Sequence, residues 1–436
     1  MPRASEFVGR YRWLICLLLF FGTSINYIDR QILSLLKPIL DDQLHWTNEE
    51  YGRVNAAFQG SYAIGLLLFG AFVDRFGTKI GYAVSIAAWS LAALGHGFVG
   101  SVNGFFRARM ALGLSEGGNF PAAIKAVALW FPKSERALAT ALFNSGANVG
   151  AVLAPAIVPV VAATWGWQSA FVLAGCAGLS FLLLWLPFYD IPERIGRLGA
   201  RELAHIRADE DEPAPGNEAP STGAQKWLSL LRHRQTWSFI VCKLLTDPVW
   251  WFFLIWLPDY FKKTRALDLK ASWLYLVSIY SIVTVLSIVG GWLAGYLTRQ
   301  GLTPVRARKL ALLIFALCVL PILFVTQMST WGAVVLIGVA GAAHQAWSAN
   351  LFTTVSDMFP KRAVGSVVGL GGMAGSLGGI AFPILAGKLL DRFTAAGDIT
   401  AGYSILFGFC GFAYLLAFGI SHLLAPRFAP VGADFL

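Results

Sequence analysis

Asp29 and Arg30 stand side by side inside an apolar run, Trp13 to about Leu36, that carries no other charge. An ionisable residue in a bilayer core costs roughly 2.5–3.5 kcal/mol on insertion scales, so such residues face a bundle interior and mark an ion or substrate path. Arginine presents a planar, permanently charged fork suited to a carboxylate. An aspartate in a low-dielectric cavity can take up a proton. Side by side, the two have the chemistry to couple a proton to an organic anion. The plainer alternative is that they only brace neighbouring helices, although adjacent residues diverge by about 100° on a helix and pair poorly with each other.

Further charges lie in other apolar runs. Arg109 and Glu116 are seven residues apart, two helical turns and about 10 Å along one face. Glu116 is a second candidate proton carrier, with Arg109 either holding it ionised or meeting Asp29; a fixed interhelical salt bridge is the alternative. Gly117-Gly118 permits a close helix approach. Tyr27 and Tyr62 offer hydroxyls beside this set, and Asn144 and Asn148 could hydrogen-bond hydroxyls of a substrate or only neighbouring helices. Lys243 and Asp247, one turn apart, either neutralise each other or leave Lys243 as a second positive point for an anion. Trp251, His344, Gln345, Trp347, Ser348 and Asn350 add aromatic and amide groups of the kind that stack on and hydrogen-bond a sugar. A lone buried histidine is more often a neutral hydrogen bonder than a proton carrier, and His344 is read so. Asp74, Arg75, Glu135 and Arg136 sit at expected helix ends, where charge pairs serve gating rather than binding.

The elements that must position these residues are membrane spans. Of 436 residues 56% are hydrophobic and only 13% charged, a composition that excludes a single soluble core. Apolar windows of about 20 residues give twelve helices, centred near residues 25, 62, 90, 115, 149, 178, 249, 285, 317, 344, 377 and 412. One long polar stretch interrupts them, with the acidic run Asp209-Glu210-Asp211-Glu212 followed by Pro- and Gly-rich residues. It reads as a linker, 191–236, between six-helix halves 1–190 and 237–436. The net charge of +10 reflects basic residues of cytoplasmic loops, not nucleic-acid binding, with both termini inside. The cluster Lys262, Lys263, Arg265, Lys270 is the exception, because this topology puts it outside. The five cysteines are scattered singly and without metal spacing. No P-loop, nucleophile elbow or dinucleotide fingerprint occurs, which disfavours an ATP-driven pump.

The halves repeat each other. Phe131-Pro132-Lys133 after the fourth span returns as Phe359-Pro360-Lys361 after the tenth, and each opens a Gly-rich helix. Gly70 to Lys79, with Asp74-Arg75 and Gly77, returns in part as Gly291 to Gly301. An offset of roughly 220 to 228 residues at two loops indicates duplicated halves, the arrangement of rocker-switch transporters.

Gly70 through Lys79 resembles the loop signature of the major facilitator superfamily, and the resemblance extends over nearly the whole chain. Within it, Tyr27-Ile28-Asp29-Arg30, Gly113 to Pro121 and Trp130 to Arg136 resemble the anion:cation symporter family. Leu245 to Phe252, His344 to Asn350 and Met358-Phe359-Pro360 resemble bacterial hexuronate transporters. The resemblance implies an all-α polytopic fold of twelve transmembrane helices in two pseudo-symmetric halves. It also implies a protonation role for Glu116 and substrate contact at Tyr62. Related aldonate carriers place an amide where Ala147 stands here, so the hydroxyl contacts differ and Asn148 is the substitute.

The reading is a proton-coupled symporter of an organic anion, with galacturonate or glucuronate first and a different acid, an aldonate, aldarate, tartrate or aromatic carboxylate, as the rival. Asp29, Glu116 and Arg109 are expected to couple protons and Arg30 to anchor the carboxylate. The expected partners are the anion, protons and lipid, with no cofactor, no metal and no nucleic acid. A monomer in a bacterial cytoplasmic (inner) membrane is expected. A sensor would be expected to carry a larger soluble region, and a polytopic enzyme a nucleophile or metal site.

Overall fold

The computed structural model describes residues 10–207, 229–267, 269–359 and 361–431. Fourteen α-helices run through them: α1 (Tyr11–Leu44), α2 (Asn48–Phe76), α3 (Thr78–His96), α4 (Val102–Glu116), α5 (Asn119–Trp130), α6 (Lys133–Trp165), α7 (Trp167–Phe188), α8 (Ala200–Ile206), α9 (Arg234–Arg265), α10 (Leu269–Arg299), α11 (Pro304–Val319), α12 (Thr330–Met358), α13 (Lys361–Ala395) and α14 (Ile399–Leu424). Ten of these are long and apolar enough to cross a membrane. The shorter α3 and the broken pair α4–α5 supply the third and fourth of the twelve expected spans. The expected continuous fourth helix is interrupted at Gly117-Gly118. Large apolar side chains such as Leu183 and Ile288, 75% and 73% exposed, suit contact with lipid.

Two glycines set the turns of the repeated loop signature. Gly77 (φ 84°) joins α2 to α3, and Gly301 (φ 95°) follows α10; a side chain would strain either backbone. Elsewhere helix starts are closed by side chains: Ser101 accepts from the Gly104 N–H at α4, Ser329 from Gly332 at α12 and Asp398 from Ala401 at α14.

Contacts sort the chain into two compact units, Met1–Leu33 with Gly60–Glu218, and Ser34–Gln59 with Ala219–Leu436. Residues 34–59, which a linear division puts with the N-terminal half, therefore group with the second unit. The acidic run at 209–212 lies outside the described residues. The linker segment that is described carries a short 3₁₀ turn, Pro192–Arg194, and then α8.

Each unit shows the same kind of helix seam. In the first, a methyl added at Gly146 or Gly150 of α6 would overlap the Phe20 or Ser24 carbonyl of α1. In the second, methyls at Gly371, Gly375 and Gly378 of α13 would overlap Phe239, Asp247 and Pro248 of α9. The fifth span thus lies on the first through glycines as the eleventh lies on the seventh. This is the tertiary counterpart of the sequence repeat, and it brings α1 and α9 close to their neighbours. A third seam crosses α4 and α2, where a side chain at Gly117 would meet the Gly65 backbone. Gly117→Val is expected to destabilise the protein by about 1–3 kcal/mol through forced separation of the helices, read as a lowered thermal unfolding midpoint in detergent. A midpoint equal to the parent's would show that the seam has slack.

Candidate functional site

In the first unit α1, α2 and α4 bring together Asn26, Tyr27, Asp29, Arg30, Tyr62, Arg109 and Glu116. On α1 the three-to-four spacing aims Asn26, Asp29 and Arg30 inward, at 0%, 1% and 8% exposure. The α4 carboxylate of Glu116 is fully buried. Arg30 Nε donates to Glu116 Oε2 at 2.7 Å, and the same guanidinium lies over the rings of Tyr27 and Tyr62 at 4.8 and 4.5 Å. It is held as a flat cation between aromatic faces.

Arg109 was expected to hold Glu116 or to meet Asp29, and its charge acts on both carboxylates. Its Nη2 donates to the backbone carbonyl of Arg30 at 3.1 Å, and the ion pair to Glu116 comes from Arg30 instead. Across the seam, Arg109 fastens α1 at the residue that carries the candidate anchor. Both oxygens of Asp29 are buried and without a hydrogen-bond partner among the described residues. Arg109, Arg30 and Glu116 are the charges that act on it. A buried carboxylate left without donors is costly while ionised. This cluster therefore holds one acid, Glu116, that is hydrogen-bonded to an arginine and one, Asp29, without a donor among the described residues. On α6, Asn144 is exposed and Asn148 half-buried, and among the described residues neither is hydrogen-bonded to the cluster.

In the second unit Lys243 and Asp247 form an ion pair of 2.8 Å along one turn of α9, with the ammonium 4.7 Å from the Phe352 ring. The polar residues of α12 divide between directions. His344 Nδ1 lies 2.6 Å from the Tyr414 hydroxyl, and its ring stacks on Trp250 at 5.5 Å. Trp347 is fully buried edge-on to Tyr414 at 5.5 Å, with its indole N–H unpartnered among the described residues. Gln345 and Ser348 are half-buried. Asn350 spends its amide on the Ala346 carbonyl one turn back, at 2.9 Å. Trp251 of α9 lies against Gly379 of α13. Tyr414 and Trp250, which organise His344, were not singled out in the sequence reading. The signal for Tyr414 is a hydroxyl standing alone in the apolar stretch 405–420 of α14.

The expected gating residues resolve only in part. The side chains of Asp74 and Arg136 lie outside the described residues, and Arg75 is exposed with its guanidinium 5.4 Å from the Phe76 ring. Glu135 pairs with Arg12 at 2.8 Å and with His205 of α8 at 3.0 Å. The hydrogen bond from Arg12 holds the Glu135 carboxyl below the usual carboxylate range. Arg12 also donates to Glu202, so the start of α1, the start of α6 and the linker helix are tied within one unit. Among the described residues no three His, Cys, Asp or Glu side chains gather as a metal site.

Comparison with known proteins places this arrangement. The hexuronate transporter of Escherichia coli K12 is 30% identical over 403 residues, covering 91% of this chain and 90% of that one. The galacturonate transporter of Dickeya chrysanthemi is 33% identical over 259 residues, 59% of this chain and 74% of that one. A probable galactarate/D-glucarate transporter of Escherichia coli K12 is 29% identical over 405 residues, 88% of this chain and 90% of that one. Among solved structures, an inward-facing, unoccupied bacterial homolog of the human lysosomal transporter Spinster shares the fold with a TM-score of 0.75 at 16% identity, covering 98% of each chain. A D-xylose-proton symporter does so with 0.70 at 17% identity, covering 96% of this chain and 99% of that one. Residues 19–383 match the Major Facilitator Superfamily, and the chain belongs to that family: it is a multi-pass membrane transporter, not an enzyme.

Proposed function

We propose that this transporter carries a sugar acid together with protons, and that the acid is a hexuronate such as galacturonate or glucuronate. The observation that carries the coupling is the unpartnered, buried Asp29 carboxylate beside the Arg30–Glu116 pair. Protonation of Asp29 removes a buried charge that has no donor. Protonation of Glu116 releases Arg30, whose fork then accepts the carboxylate of the substrate in place of the carboxylate of Glu116. Loss of the proton restores the internal pair and weakens the hold on the anion. Without protons, an anion driven into an inside-negative compartment would oppose about 2.3 kcal/mol per charge per 100 mV. Tyr27 and Tyr62 keep the guanidinium flat for either partner. The names of the relatives, a hexuronate transporter and a galacturonate transporter, support the substrate class. The proposed setting is a bacterial cytoplasmic membrane, with a monomer whose termini are cytoplasmic.

The galactarate/D-glucarate relative makes an aldarate the second reading. Proteoliposomes carrying the purified protein, given an inward pH gradient, are expected to accumulate labelled galacturonate or glucuronate and to lose that accumulation when the gradient is collapsed. An excess of the favoured acid should compete, while galactonate, galactarate and tartrate compete less. Accumulation of galactarate in preference would transfer the substrate to the aldarates, and uptake indifferent to the gradient would overturn the coupling.

A further inference from the structure

Two cavities of the second unit play no part in the proposed cycle. Both sit between the same three helices, α10, α11 and α12. The first, of about 310 Å³, is walled by apolar side chains, among them Leu286, Val289, Leu293, Phe315, Val339 and Ala343. The second, of about 290 Å³, lies about one turn further along α10, where Gly295, Thr298, Arg308, Asn350 and Thr353 line it. No residue of α9 or α13 lines either one, so both stand apart from Lys243, Asp247 and the glycine seam between those helices. Small side chains leave the space: a methyl added at Gly295 would meet nothing within 4 Å.

The surroundings of the two cavities pass from apolar to basic within two helical turns. Val289 and Trp292 are 59% and 54% exposed and suit contact with hydrocarbon. Trp292 and Tyr296 lie ring to ring at 4.7 Å, the kind of amphipathic aromatic pair that sits at a membrane interface. The Arg299 guanidinium lies over Trp292 at 5.1 Å, and the helical period puts it on the face of Gly295. From α11, Arg308 reaches Thr353 and Asp357 of α12. Arg299 is exposed, and among the described residues no acid pairs with it. Two arginines against one aspartate leave one positive charge in excess. Basic residues at a helix end mark orientation by themselves; the divided cavity beside them is the separate observation.

We propose that α10, α11 and α12 form a binding site for an anionic phospholipid, with an acyl chain in the apolar cavity and the phosphodiester at the polar one, facing Arg299 and Arg308. The polar end is the one that the expected topology places in the cytoplasm, where basic pockets between spans receive anionic headgroups. One phosphodiester matches the one uncompensated charge. A zwitterionic headgroup brings its own cation and gains less. A free phosphate would leave the apolar cavity empty and forfeit the dispersion contacts that a chain makes there. The site depends on the membrane setting and not on which acid is carried.

The test is native mass spectrometry of the full-length protein released from detergent micelles, titrated with phosphatidylglycerol or with phosphatidylcholine of the same acyl chains. The parent is expected to retain phosphatidylglycerol in preference. Arg299→Gln should weaken that lipid about fivefold, the effect of one basic contact, and leave phosphatidylcholine within about twofold. Gly295→Leu fills the polar cavity and should weaken both lipids. Arg299 is exposed, so its variant keeps the fold and decides the matter even if Gly295→Leu does not. Arg234→Gln, which removes an exposed charge at the start of α9, is the control and should bind as the parent does. Phosphatidylglycerol binding by Arg299→Gln within about twofold of the parent would overturn the site. An equal loss in Arg234→Gln would also overturn it, by showing attraction to a basic surface alone. The readout involves no transport, so its failure and that of the sugar-acid reading are distinguishable.

Discussion

Arg30→Ala is expected to abolish binding of the acid and to destabilise the protein, two effects that a second substitution separates. In the folded chain Arg30 is the ion-pair partner of Glu116, at 2.7 Å in a site with no exposure on the acid. Removing one member of a buried pair costs about 3–5 kcal/mol because the other charge is left behind. The single variant should therefore unfold at a lower temperature or fail to accumulate. Arg30→Ala combined with Glu116→Gln leaves no net charge on the pair and should recover much of the stability. Binding should not recover, because the other arginine of α1, Arg12, is engaged by Glu135 and Glu202 at the start of the helix and does not replace the fork of Arg30. Loss of charge-assisted hydrogen bonds of about 1.5–3 kcal/mol corresponds to at least a tenfold weaker affinity. Thermal stabilisation by added galacturonate is the readout. A double variant that still responds to the acid as the parent does would remove Arg30 from the anchor role.

Asp29→Asn is expected to stabilise the protein while uncoupling it. No described group donates to either Asp29 oxygen, so the amide relieves the burial of an unpaired charge, where truncating Arg30 creates one. The opposite signs in thermal midpoint distinguish a proton carrier from a structural brace. In proteoliposomes an imposed gradient of about two pH units supplies about 2.7 kcal/mol per coupled proton, a hundredfold accumulation. Asp29→Asn should lose the part of this accumulation carried by its proton while retaining exchange of labelled for unlabelled acid. Glu116→Gln should do the same, with a larger fall in affinity selectivity because Arg30 is then never recaptured. Full gradient-driven accumulation in Asp29→Asn would assign the proton elsewhere.

The contrast between these two variants shows where sequence reasoning stopped. Period and hydropathy placed Asp29 and Arg30 on the inward side of α1, because a 3.6-residue repeat decides the face without any partner. They placed Glu116 just before a glycine pair, and the structure puts the helix break at those glycines. They did not reveal that Arg30, rather than Arg109, takes Glu116. The two residues are 86 positions apart, and their meeting depends on how far α1, α2 and α4 are rotated about their own axes. Close-contact glycines such as Gly65 and Gly117 set how nearly the backbones approach, and distance there decides which side chain arrives.

The same limit applies in the second unit. Lys243 and Asp247 were legible as a pair because one turn of a single helix brings them together. Asn350 resembled a binding amide in the sequence, yet its nearest acceptor is its own helix's Ala346 carbonyl. Asp259 gave no sign at all, being one acid near the end of an apolar run with its ion-pair partner, Lys37, 222 residues away.

By itself, then, the amino-acid sequence determined the helices, their repeated order and the buried faces that bear charge, since each follows from local periodicity and the cost of polar groups in an apolar medium. Only the tertiary structure decided the partners: which arginine meets Glu116, that Asp29 is left without a donor, and that residues 34–59 meet acids far along the chain, Lys37 at Asp259 and the Asn48 N–H at Asp391. Those choices depend on side chains converging within about 3 Å, a distance that helix periodicity cannot specify between elements separated by tens or hundreds of residues.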